Sequence, residues 1–501
     1  MKVAIIGSGP AAAGVLIGLA KHAPHAKATI FDIGKVPEIS PVNTRAPKEW
    51  SEDEYEKLHA QIKSQFGFAF PPPKTFFGQG LRKHPAGQNA KPFISEFYGG
   101  LSRHWSASVF PFVENDFEGW PVGLAEMSEY YNEISDEIGI SGRHDELNTY
   151  FGEDFVNRPP IDIPRSIEKL NDQINSRTDQ EGPYKIVSGL NRLAVETNDG
   201  ASNSCVYCGE CMYGCFRSSI YDATKTIDKA KSQGIVEEII TSKVSKVSST
   251  NGSVALSTNN GDFNGFDKLF LGAGCFGTSE IMMRTLGIHN GISVKDNNSY
   301  VFPIFYLSGA SNGNHSEYIS ITNTIIGCIP RDEDGHYAHV HISPFADYYW
   351  RYYFPVGYWR YLKFFASKFK ARMILAKMYF PTQISKSYAL SLKDDRLSVE
   401  KDSYGPSDKY ARLVLKQLRH AVSGHGFILP PVKLVRMSTS SHYVGAFPYA
   451  ESRVPVKSTG EIMPNIYVAD SSVFPESPAQ TLTFTIMANA ARTARESLDD
   501  K

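Results

Sequence analysis

The sequence is short of cysteine and of any excess of charge, and it contains no long apolar run. Six cysteines among 501 residues are too few for a scaffold held by disulfide bonds, so we expect a cytoplasmic protein. A formal net charge of -1 gives no general field that would attract a polyanion, which argues against nucleic-acid binding. No stretch of about eighteen uninterrupted apolar residues occurs, so a membrane-spanning helix is not expected.

The N-terminal stretch KVAIIGSGPAAAGVLIGLAKHAPHAKATIFDIG has the pattern of a strand, a glycine turn, a helix and a second strand. The first strand is predicted from Val3 to Ile6, the helix from about Pro10 to His22, and the second strand ends at Asp32. This βαβ pattern is typical of a dinucleotide-binding fold. A glycine-rich turn without a ligand is the alternative.

Five positions of this unit are candidate cofactor-binding residues. Gly7 allows a tight turn and Gly9 lets the backbone approach a pyrophosphate. The small residues Ala12 and Gly14 are expected to let the helix pack closely on the strand. Asp32 follows Gly14 by eighteen residues, where a carboxylate can accept hydrogen bonds from ribose hydroxyls. FAD and NAD sites share this pattern, so it does not choose between them.

Two later segments again run from a strand into a glycine- or proline-containing turn and a helix. The first, DKLFLGAGCFGTSEIMMRTLGI, contains Gly274 in its turn. The second, NIYVADSSVFPESPAQTLTFTIMANAARTARESL, contains Asp470 and Ser471 at the end of its strand. This second segment resembles the C-terminal block of the glucose-methanol-choline oxidoreductase family. The resemblance implies FAD as the cofactor, with Gly274, Asp470 and Ser471 among the residues that contact it.

The resemblance also implies the fold class. We expect an α/β protein with a Rossmann-like FAD-binding domain and a substrate-binding domain made of a β-sheet plus helices. The FAD-binding domain is expected to take up residues 1–110, 181–299 and 436–501, with a cap segment at 111–180 and the substrate-binding domain at 300–435. A chain of 501 residues with 42% apolar content can bury cores of this size.

The segment FYGGLSRHWSAS resembles the flavin-proximal loop of pyranose oxidase and related sugar dehydrogenases. The resemblance places Gly99, Gly100 and Ser102 near the isoalloxazine ring. It also makes His104 a candidate for a covalent bond to the 8-methyl carbon of the flavin. Ordinary packing or hydrogen bonding of the His104 ring is the alternative.

The segment STSSHYVGAFPY resembles the family's His-Pro-x-Gly segment, whose histidine removes a hydroxyl proton while hydride leaves for flavin N5. His442 is therefore the candidate base, and imidazole suits this role because its pKa lies near neutral pH. The chain departs from the family pattern at Tyr443, where proline is expected, and at Thr481, where asparagine or histidine is expected. The Thr481 hydroxyl can orient a substrate oxygen but cannot act as a second base.

Four of the six cysteines fall within the stretch CVYCGECMYGC, at Cys205, Cys208, Cys211 and Cys215. This is the spacing of a ferredoxin cluster run. Structural zinc more often takes two separated Cys-x-x-Cys pairs, and disulfides would be strained here. Cluster-bearing members of the family carry a similar segment. That resemblance implies an iron-sulfur cluster, 4Fe-4S or 3Fe-4S, that passes electrons to an external acceptor; a metal-free family remnant and zinc remain alternatives.

The segment 347–380 combines aromatic and basic residues, with seven basic residues and no acid between Arg351 and Lys377. From Tyr358 onward the periodicity predicts a helix. Such a segment can lie on an anionic membrane surface or bind a lipid-linked or acidic substrate. A helix that buries one aromatic face within the substrate domain is the alternative.

Together these patterns predict an FAD-dependent alcohol dehydrogenase or oxidase. Its partners would be a small-molecule alcohol, such as a sugar, sterol or lipid-linked compound, and an external electron acceptor. Two other classes stay open. One is a flavoprotein that catalyses isomerisation or cyclisation without net redox change, which the departure at Thr481 would favour. The other is a non-catalytic relative that binds a metal or a membrane surface.

Overall fold

The computed structural model describes residues 1–34, 49–66, 81–83, 92–153, 155–177, 181–308, 318–333, 335–346, 348–349, 372–437, 440–449 and 453–499. Its strands are β1 Lys2–Ile6, β2 Lys27–Asp32, β3 Leu81–Lys83, β4 Phe93–Ser95, β5 Tyr184–Leu190, β6 Val236–Thr241, β7 Val244–Thr250, β8 Ser253–Thr258, β9 Gly261–Phe266, β10 Lys268–Leu271, β11 Ile292–Asp296, β12 Ser299–Tyr306, β13 Thr324–Pro330, β14 Ala338–Pro344, β15 Met373–Tyr379, β16 Lys386–Lys393, β17 Arg396–Tyr404, β18 Phe427–Ile428, β19 Val435–Arg436, β20 Tyr443–Val444, β21 Glu461–Met463 and β22 Ile466–Val468. Its α-helices are α1 Pro10–His22, α2 Glu52–Phe66, α3 Leu124–Ile138, α4 Asn148–Phe151, α5 Arg165–Asn175, α6 Ala223–Ser232, α7 Gly274–Leu286, α8 Ser407–Val422 and α9 Thr483–Glu496.

A six-stranded sheet in the order β21-β22-β10-β1-β2-β6 contains the βαβ unit predicted to bind a dinucleotide. Its strands are parallel except β21, which is antiparallel to β22. Strands of such sheets are buried on both faces, which explains why Val3–Ile6 is continuously apolar and buried. The predicted helix from Pro10 to His22 and the strand end at Asp32 are confirmed.

Helix α1 packs closely against α9, the C-terminal helix. A Cβ atom built on Gly14 would lie 2.3 Å from the backbone oxygen of Met487, and one built on Gly18 would lie 2.7 Å from that of Ala491. The absence of a side chain therefore lets the two helix backbones meet. We had expected Gly14 to allow contact with the strand, and the structure corrects this: Gly14 faces the other helix, which lies more than 460 residues further along the chain.

Two further sheets are antiparallel. Strands β7, β8 and β9 form a meander, while β6, which precedes them in the chain, joins the parallel sheet. The other sheet has the order β17-β16-β11-β20. In it, Asp296 at the end of β11 is paired with Tyr443 of β20, which brings the loop before β20 next to the end of β11.

A seven-stranded antiparallel sheet has the order β18-β12-β15-β14-β13-β5, with β19 also paired to β12. Alternate residues of β14, such as Val340 and Ile342, join an apolar core that includes residues of α5 and α8. The neighbouring residues His339 and His341 point to the opposite face, because side chains alternate along a strand. On β15, Tyr379 is paired with His339 and Lys377 with His341. We call the side that carries His339, His341, Lys377 and Tyr379 the histidine face.

Most of the basic and aromatic segment 347–380 lies outside the described residues, including 350–371. Its end, Met373–Tyr379, is strand β15, so the helix predicted from Tyr358 onward is wrong there. The physical reason is pairing with β12 on one side and β14 on the other, which outweighs local periodicity. No helix among the described residues is long and apolar enough to cross a membrane. Contact with a membrane surface stays a prediction.

The predicted division of the chain into five segments also stays a prediction. One strand does not fit a division in which all of residues 181–299 belong to the FAD-binding domain. Strand β5, which falls within residues 181–299, pairs along its whole length with β13 and thus belongs to the seven-stranded sheet.

Candidate active site

The glycine turn after β1 is built as a dinucleotide site requires. Gly7 has a φ of +96°, and a Cβ atom there would lie 2.3 Å from the backbone oxygen of Gly272, at the end of the neighbouring strand β10. Gly9 precedes the first turn of α1. Gly100 approaches it so closely that a Cβ on Gly100 would lie 3.0 Å from the Gly9 Cα atom. Gly7 and Gly100 thus occupy positions at the amino end of α1 where a side chain would clash or strain the backbone.

Asp32 lies at the carboxyl end of β2, beside the same turn. Burial raises its pKa to about 6, against hydrogen bonds from Ser8 and Gly34 that lower it. Its Oδ1 atom accepts the Gly34 N–H in a short hydrogen bond. Ala12 is fully buried within α1 and packs with the sheet. The residues expected to bind a dinucleotide are therefore gathered at one edge of the parallel sheet.

The Gly99 to His104 loop lies against this turn. The Gly99 N–H donates to Ser8 Oγ at 2.8 Å, and Ser102 Oγ donates to the Gly99 carbonyl at 2.6 Å. Ser102 Oγ also accepts the N–H of Ala223 at 2.9 Å, which ties the loop to the start of α6. The serine hydroxyl thus holds the loop in place from within.

His104 follows the short 3-10 helix Gly100–Arg103. Its Nε2 atom lies 3.3 Å from Ser95 Oγ, and its ring centroid lies 5.3 Å from that of Phe97. These contacts describe a packed, hydrogen-bonded histidine. A covalent bond to a flavin stays a prediction.

The C-terminal block meets the site at Asp470, at the end of β22. Its Oδ1 atom accepts the Ser472 N–H at 2.9 Å, and its Oδ2 atom accepts the Thr278 hydroxyl. The Gly274 N–H also donates to Asp470, which links the C-terminal block to the start of α7. Burial raises the pKa of Asp470. Ser471 Oγ donates to the Tyr443 carbonyl at 2.6 Å, so this block directly supports the strand that follows His442.

His442 is held by the two residues at the end of β11. Its backbone N–H donates to Asp296 Oδ1 at 3.1 Å, and its Nδ1 atom lies 3.1 Å from Asn297 Oδ1. The Asn297 NH2 group donates to the carbonyls of Phe380 and Pro478, which fixes the orientation of the amide. Because Oδ1 can only accept, Nδ1 of His442 must carry the proton. Nε2 then keeps its lone pair and can act as a base.

The surroundings of His442 keep the imidazole neutral. Burial lowers its pKa to about 4, and the charges of Lys377 and Lys386 act in the same direction against the opposing charge of Asp296. Asp296 forms an ion pair with Lys386 at 3.0 Å, and both side chains are buried. Burial alone would raise the pKa of Asp296, but Lys386 and a hydrogen bond from Ser440 outweigh it and hold the pKa below its usual value.

The histidine face is the part of the site that the sequence reasoning missed. The Tyr379 ring stacks on the His442 ring with centroids 5.3 Å apart and planes 17° apart. The His341 ring lies 4.9 Å beyond Tyr379, and the His339 ring lies 5.0 Å beyond His341. The alternating sequence AHVHISP could have indicated that a strand carries both histidines on one face. Nothing in it indicated that this face meets His442.

Thr481 lies two residues before the start of α9, and its hydroxyl donates to the Ser108 carbonyl at 2.8 Å. The contact ties α9 to the end of the segment that follows His104. Since the hydroxyl hydrogen is used in this way, Thr481 can offer a substrate only an acceptor. Its predicted role in orienting a substrate stays a prediction.

The cysteine run lines one pocket. Cys205, Cys208, Cys211 and Cys215 all border it, and none forms a disulfide. Cys215 Sγ accepts the Ser219 N–H at 3.2 Å. Burial, followed by the proximity of Cys211, raises the pKa values of Cys205 and Cys208 to about 12.

No group of three or more His, Cys, Asp or Glu residues in the described parts of the chain is arranged to hold a metal ion. The four thiols thus border a shared pocket without forming such a group. The arrangement lends no support to an iron-sulfur cluster or to a structural zinc, since each needs its cysteine ligands gathered around one centre. An iron-sulfur cluster stays a prediction.

The parallel sheet, its glycine turn and the acid after β2 are typical of a dinucleotide-binding fold, to which a seven-stranded antiparallel sheet is attached. No protein-family profile and no curated protein sequence matches the chain. Among solved structures, pyridoxine 4-oxidase from Mesorbium loti is similar, with a TM-score of 0.63 at 13% identity over 100% of this chain and 99% of that one. An FAD-dependent oxidoreductase from Chaetomium thermophilum, solved with a bound fragment, has a TM-score of 0.59 at 13% identity over 99% and 98%. The chain has the fold of these oxidoreductases, which confirms the predicted α/β class and agrees with the resemblance that implied it.

Proposed function

We propose that the protein is an FAD-dependent oxidoreductase that oxidises a CH–OH group, with His442 as the catalytic base. The observation that carries the proposal is the hydrogen bond between His442 Nδ1 and Asn297 Oδ1, which leaves Nε2 as the proton acceptor. A neutral imidazole with one lone pair is what removal of a hydroxyl proton requires.

The residues fit FAD. Gly7, Gly9 and Gly100 meet at the start of α1, where backbone N–H groups can approach a pyrophosphate, and Asp32 follows β2, where this type of fold binds ribose hydroxyls. The similar structures, one of them named as an FAD-dependent oxidoreductase, support the same cofactor. When bound, FAD supplies a ring nitrogen that accepts hydride from the alcohol carbon.

The chain's own residues then supply binding and proton transfer. Nε2 of His442 accepts the hydroxyl proton, while Asn297 keeps the ring in the correct tautomer. Asp296 anchors the backbone of His442, and Lys386 neutralises Asp296 so that the carboxylate does not draw a second proton onto the imidazole.

The test is anaerobic reduction of the bound flavin by a panel of alcohols, followed by absorbance. We expect His442→Ala to bind FAD normally and to lose at least about a hundredfold in the rate of flavin reduction. His420→Ala, at an exposed position of α8, is the matched control and should behave as wild type. Unchanged reduction in His442→Ala would refute the assigned base, and a protein that cannot take up FAD would refute the function.

We further propose that the cysteine pocket holds an iron-sulfur cluster that carries electrons to an external acceptor, as the ligand spacing suggests. What supports it is the position of four cysteine thiols around one pocket, with an N–H group directed at Cys215 Sγ. Anaerobically purified protein should contain iron and acid-labile sulfide, and Cys208→Ser should lose iron while retaining flavin. Absence of both elements from the wild type would leave the metal-free alternative.

A further inference from the structure

A positively charged lysine lies next to the proposed base. Lys377 of β15 is paired with His341 of β14. Its Nζ atom lies 4.7 Å from the centroid of the Tyr379 ring, which stacks on the ring of His442. Burial lowers the pKa of Lys377 to about 8, against the charge of Asp296, so the ammonium stays charged at pH 7. Lys377 and His442 are both half-buried, so a molecule can reach the two side chains together.

The charge of Lys377 acts on the neighbouring rings. Burial is the main cause of the lowered pKa values of His341 and His442, and the charge of Lys377 lowers both further. The two rings are therefore neutral near pH 7, and the positive charge beside them belongs to the lysine. Asp296, the opposing carboxylate, already forms an ion pair with Lys386 at 3.0 Å. One carboxylate thus serves two lysines, and this part of the site can accommodate a second negative charge.

Buried polar atoms beside Lys377 have no hydrogen-bond partner among the described residues. They are both ring nitrogens of His339, Nε2 of His341 and the hydroxyl of Ser299. His339 is fully buried and His341 is 7% exposed. Ser299 is paired with Tyr379 across β12 and β15, so it shares the histidine face. Folded proteins satisfy nearly all buried polar groups with protein, water or ligand. These atoms therefore indicate that a polar group binds on this face.

The available donors indicate the charge of that group. His341 Nδ1 lies 3.1 Å from Thr322 Oγ1, whose hydroxyl can donate to it. In that arrangement Nε2 of His341 carries the ring hydrogen and donates away from Thr322. An ammonium and an imidazole N–H both offer hydrogens, whereas an ionised carboxylate or phosphate offers acceptors. An anion is thus the group that satisfies Lys377 and His341 at once.

We propose that the substrate carries an anionic group, a carboxylate or a phosphate, which Lys377 and His341 bind while His442 faces the hydroxyl that is oxidised. The inference rests on the proposed function and narrows its substrate to an anionic alcohol. Lys377 supplies the charge, and Nε2 of His341 supplies a directed hydrogen bond. The Tyr379 ring lies between these contacts and His442, which suits a substrate whose acidic group and reacting hydroxyl are several carbons apart.

The experiment uses the FAD-loaded protein and linear ω-hydroxycarboxylates of increasing chain length, with the corresponding ω-hydroxyamides and ω-hydroxyphosphonates. A carboxylate and its amide have nearly the same shape and differ in charge. Calorimetry measures binding, and anaerobic stopped-flow absorbance measures flavin reduction. At one chain length we expect the carboxylate or the phosphonate to reduce the flavin with a kcat/KM at least about tenfold above that of the amide. The anion that binds more tightly identifies the acidic group.

Lys377→Met keeps the length of the side chain and removes its charge. It should raise KM for the anion by about ten- to a hundredfold and leave the kinetics of the amide within about threefold. An effect through the pKa of His442 would instead change the rates of all probes alike. Lys377→Arg keeps the charge and should retain the preference for the anion. Lys185→Met, at an exposed position of β5 in the same sheet, is the control and should change nothing.

Two variants test the hydrogen bond from the histidine. His341→Gln keeps a donor and should bind the anion more tightly than His341→Leu does. Thermal unfolding of each variant is recorded beside its binding. The comparison of anion with amide in the wild type needs no variant, so it tests the inference even if Lys377→Met does not fold.

The inference is overturned if the amide matches the anion at every chain length, or if no carboxylate or phosphonate of the series binds. It is also overturned if a folded Lys377→Met protein loses anion and amide equally. The proposed function fails separately, when no alcohol of any charge reduces the bound flavin. Reduction by neutral alcohols without any preference for an anion would therefore refute the substrate class alone.

Discussion

The Asn297 side-chain oxygen lies 3.1 Å from Nδ1 of His442, and the Asn297 amide is itself fixed by two backbone carbonyls. The relationship decides which nitrogen of the imidazole carries a proton. It also joins the end of β11 to the loop before β20, two segments that are 145 residues apart. The proposed base is therefore oriented by residues at the end of β11, while the Asp470 block supports the strand that follows His442.

Asn297→Leu should remove the hydrogen bond that fixes the tautomer of His442 without changing the cofactor site. We expect the rate of flavin reduction to fall by about ten- to a hundredfold, because the ring is no longer held in the productive tautomer, with FAD affinity unchanged. Stopped-flow absorbance measures the rate. Asn132→Ala, at an exposed position of α3, is the control. If Asn297→Leu reduces flavin at the wild-type rate, the tautomer is set by something else.

The pH profile of kcat/KM should report the lowered pKa of His442. Positive charges at Lys377 and Lys386 and the neutral rings of His339 and His341 face it, while Asp296 is the opposing charge. With a pKa of about 4, Nε2 is unprotonated throughout the neutral range, so activity should be flat there and fall only as the pH drops toward 4. A midpoint near the ordinary histidine value of about 6.5 would show that the ring is more solvated than the structure indicates.

The nucleotide-binding part could be predicted from sequence because its signals are local. The strand before Gly7, the helix from Pro10 to His22 and the acid at Asp32 follow one another within a single βαβ unit, and each position has a steric or electrostatic reason. Periodicity finds such elements. It gives no information on what a helix face meets, which is why the contact of Gly14 with α9 was not foreseen.

The environment of the base could not be predicted for the same reason. Asp296, Asn297 and Tyr379 reach His442 only through strand pairing between distant segments, and their own sequences show no functional pattern. The strand Met373–Tyr379 was assigned helical periodicity, although its neighbours in the sheet decide its conformation. Long-range pairing thus determined most of what was missed.

Asp32→Ala should weaken FAD binding. A carboxylate at this position accepts hydrogen bonds from ribose hydroxyls, and such charge-assisted bonds contribute roughly 1.5 to 3 kcal/mol, so we expect a loss of affinity of about ten- to a hundredfold. Equilibrium titration of the apoprotein with FAD, followed by flavin fluorescence, measures it. Asp262→Ala, on the exposed strand β9, should leave the affinity unchanged. Equal affinity in both variants would place the ribose elsewhere.

The buried ion pair between Asp296 and Lys386 predicts a stability effect with a defined sign. The folded pKa of Asp296 lies below its unfolded value, so the carboxylate stabilises the fold above pH of about 4, and this stabilisation is lost as the pH falls through the folded pKa. Asp296→Asn leaves Lys386 buried without its counter-charge. Removing one partner of such a pair costs about 3 to 5 kcal/mol of unfolding free energy, measured by urea denaturation at pH 7.

The double variant Asp296→Asn with Lys386→Met tests whether the loss of stability comes from leaving one buried charge unpaired. Removing both charges should restore much of the lost stability, because an apolar side chain of similar length needs no counter-charge in the buried site. The exposed pair of Lys393 and Glu400 supplies the control: its side chains are 62% and 56% exposed, and Glu400→Gln should change stability by no more than about 1 kcal/mol. If Asp296→Asn proves as mild as Glu400→Gln, water reaches Lys386, and the charge of Lys386 then contributes little to the low pKa of His442.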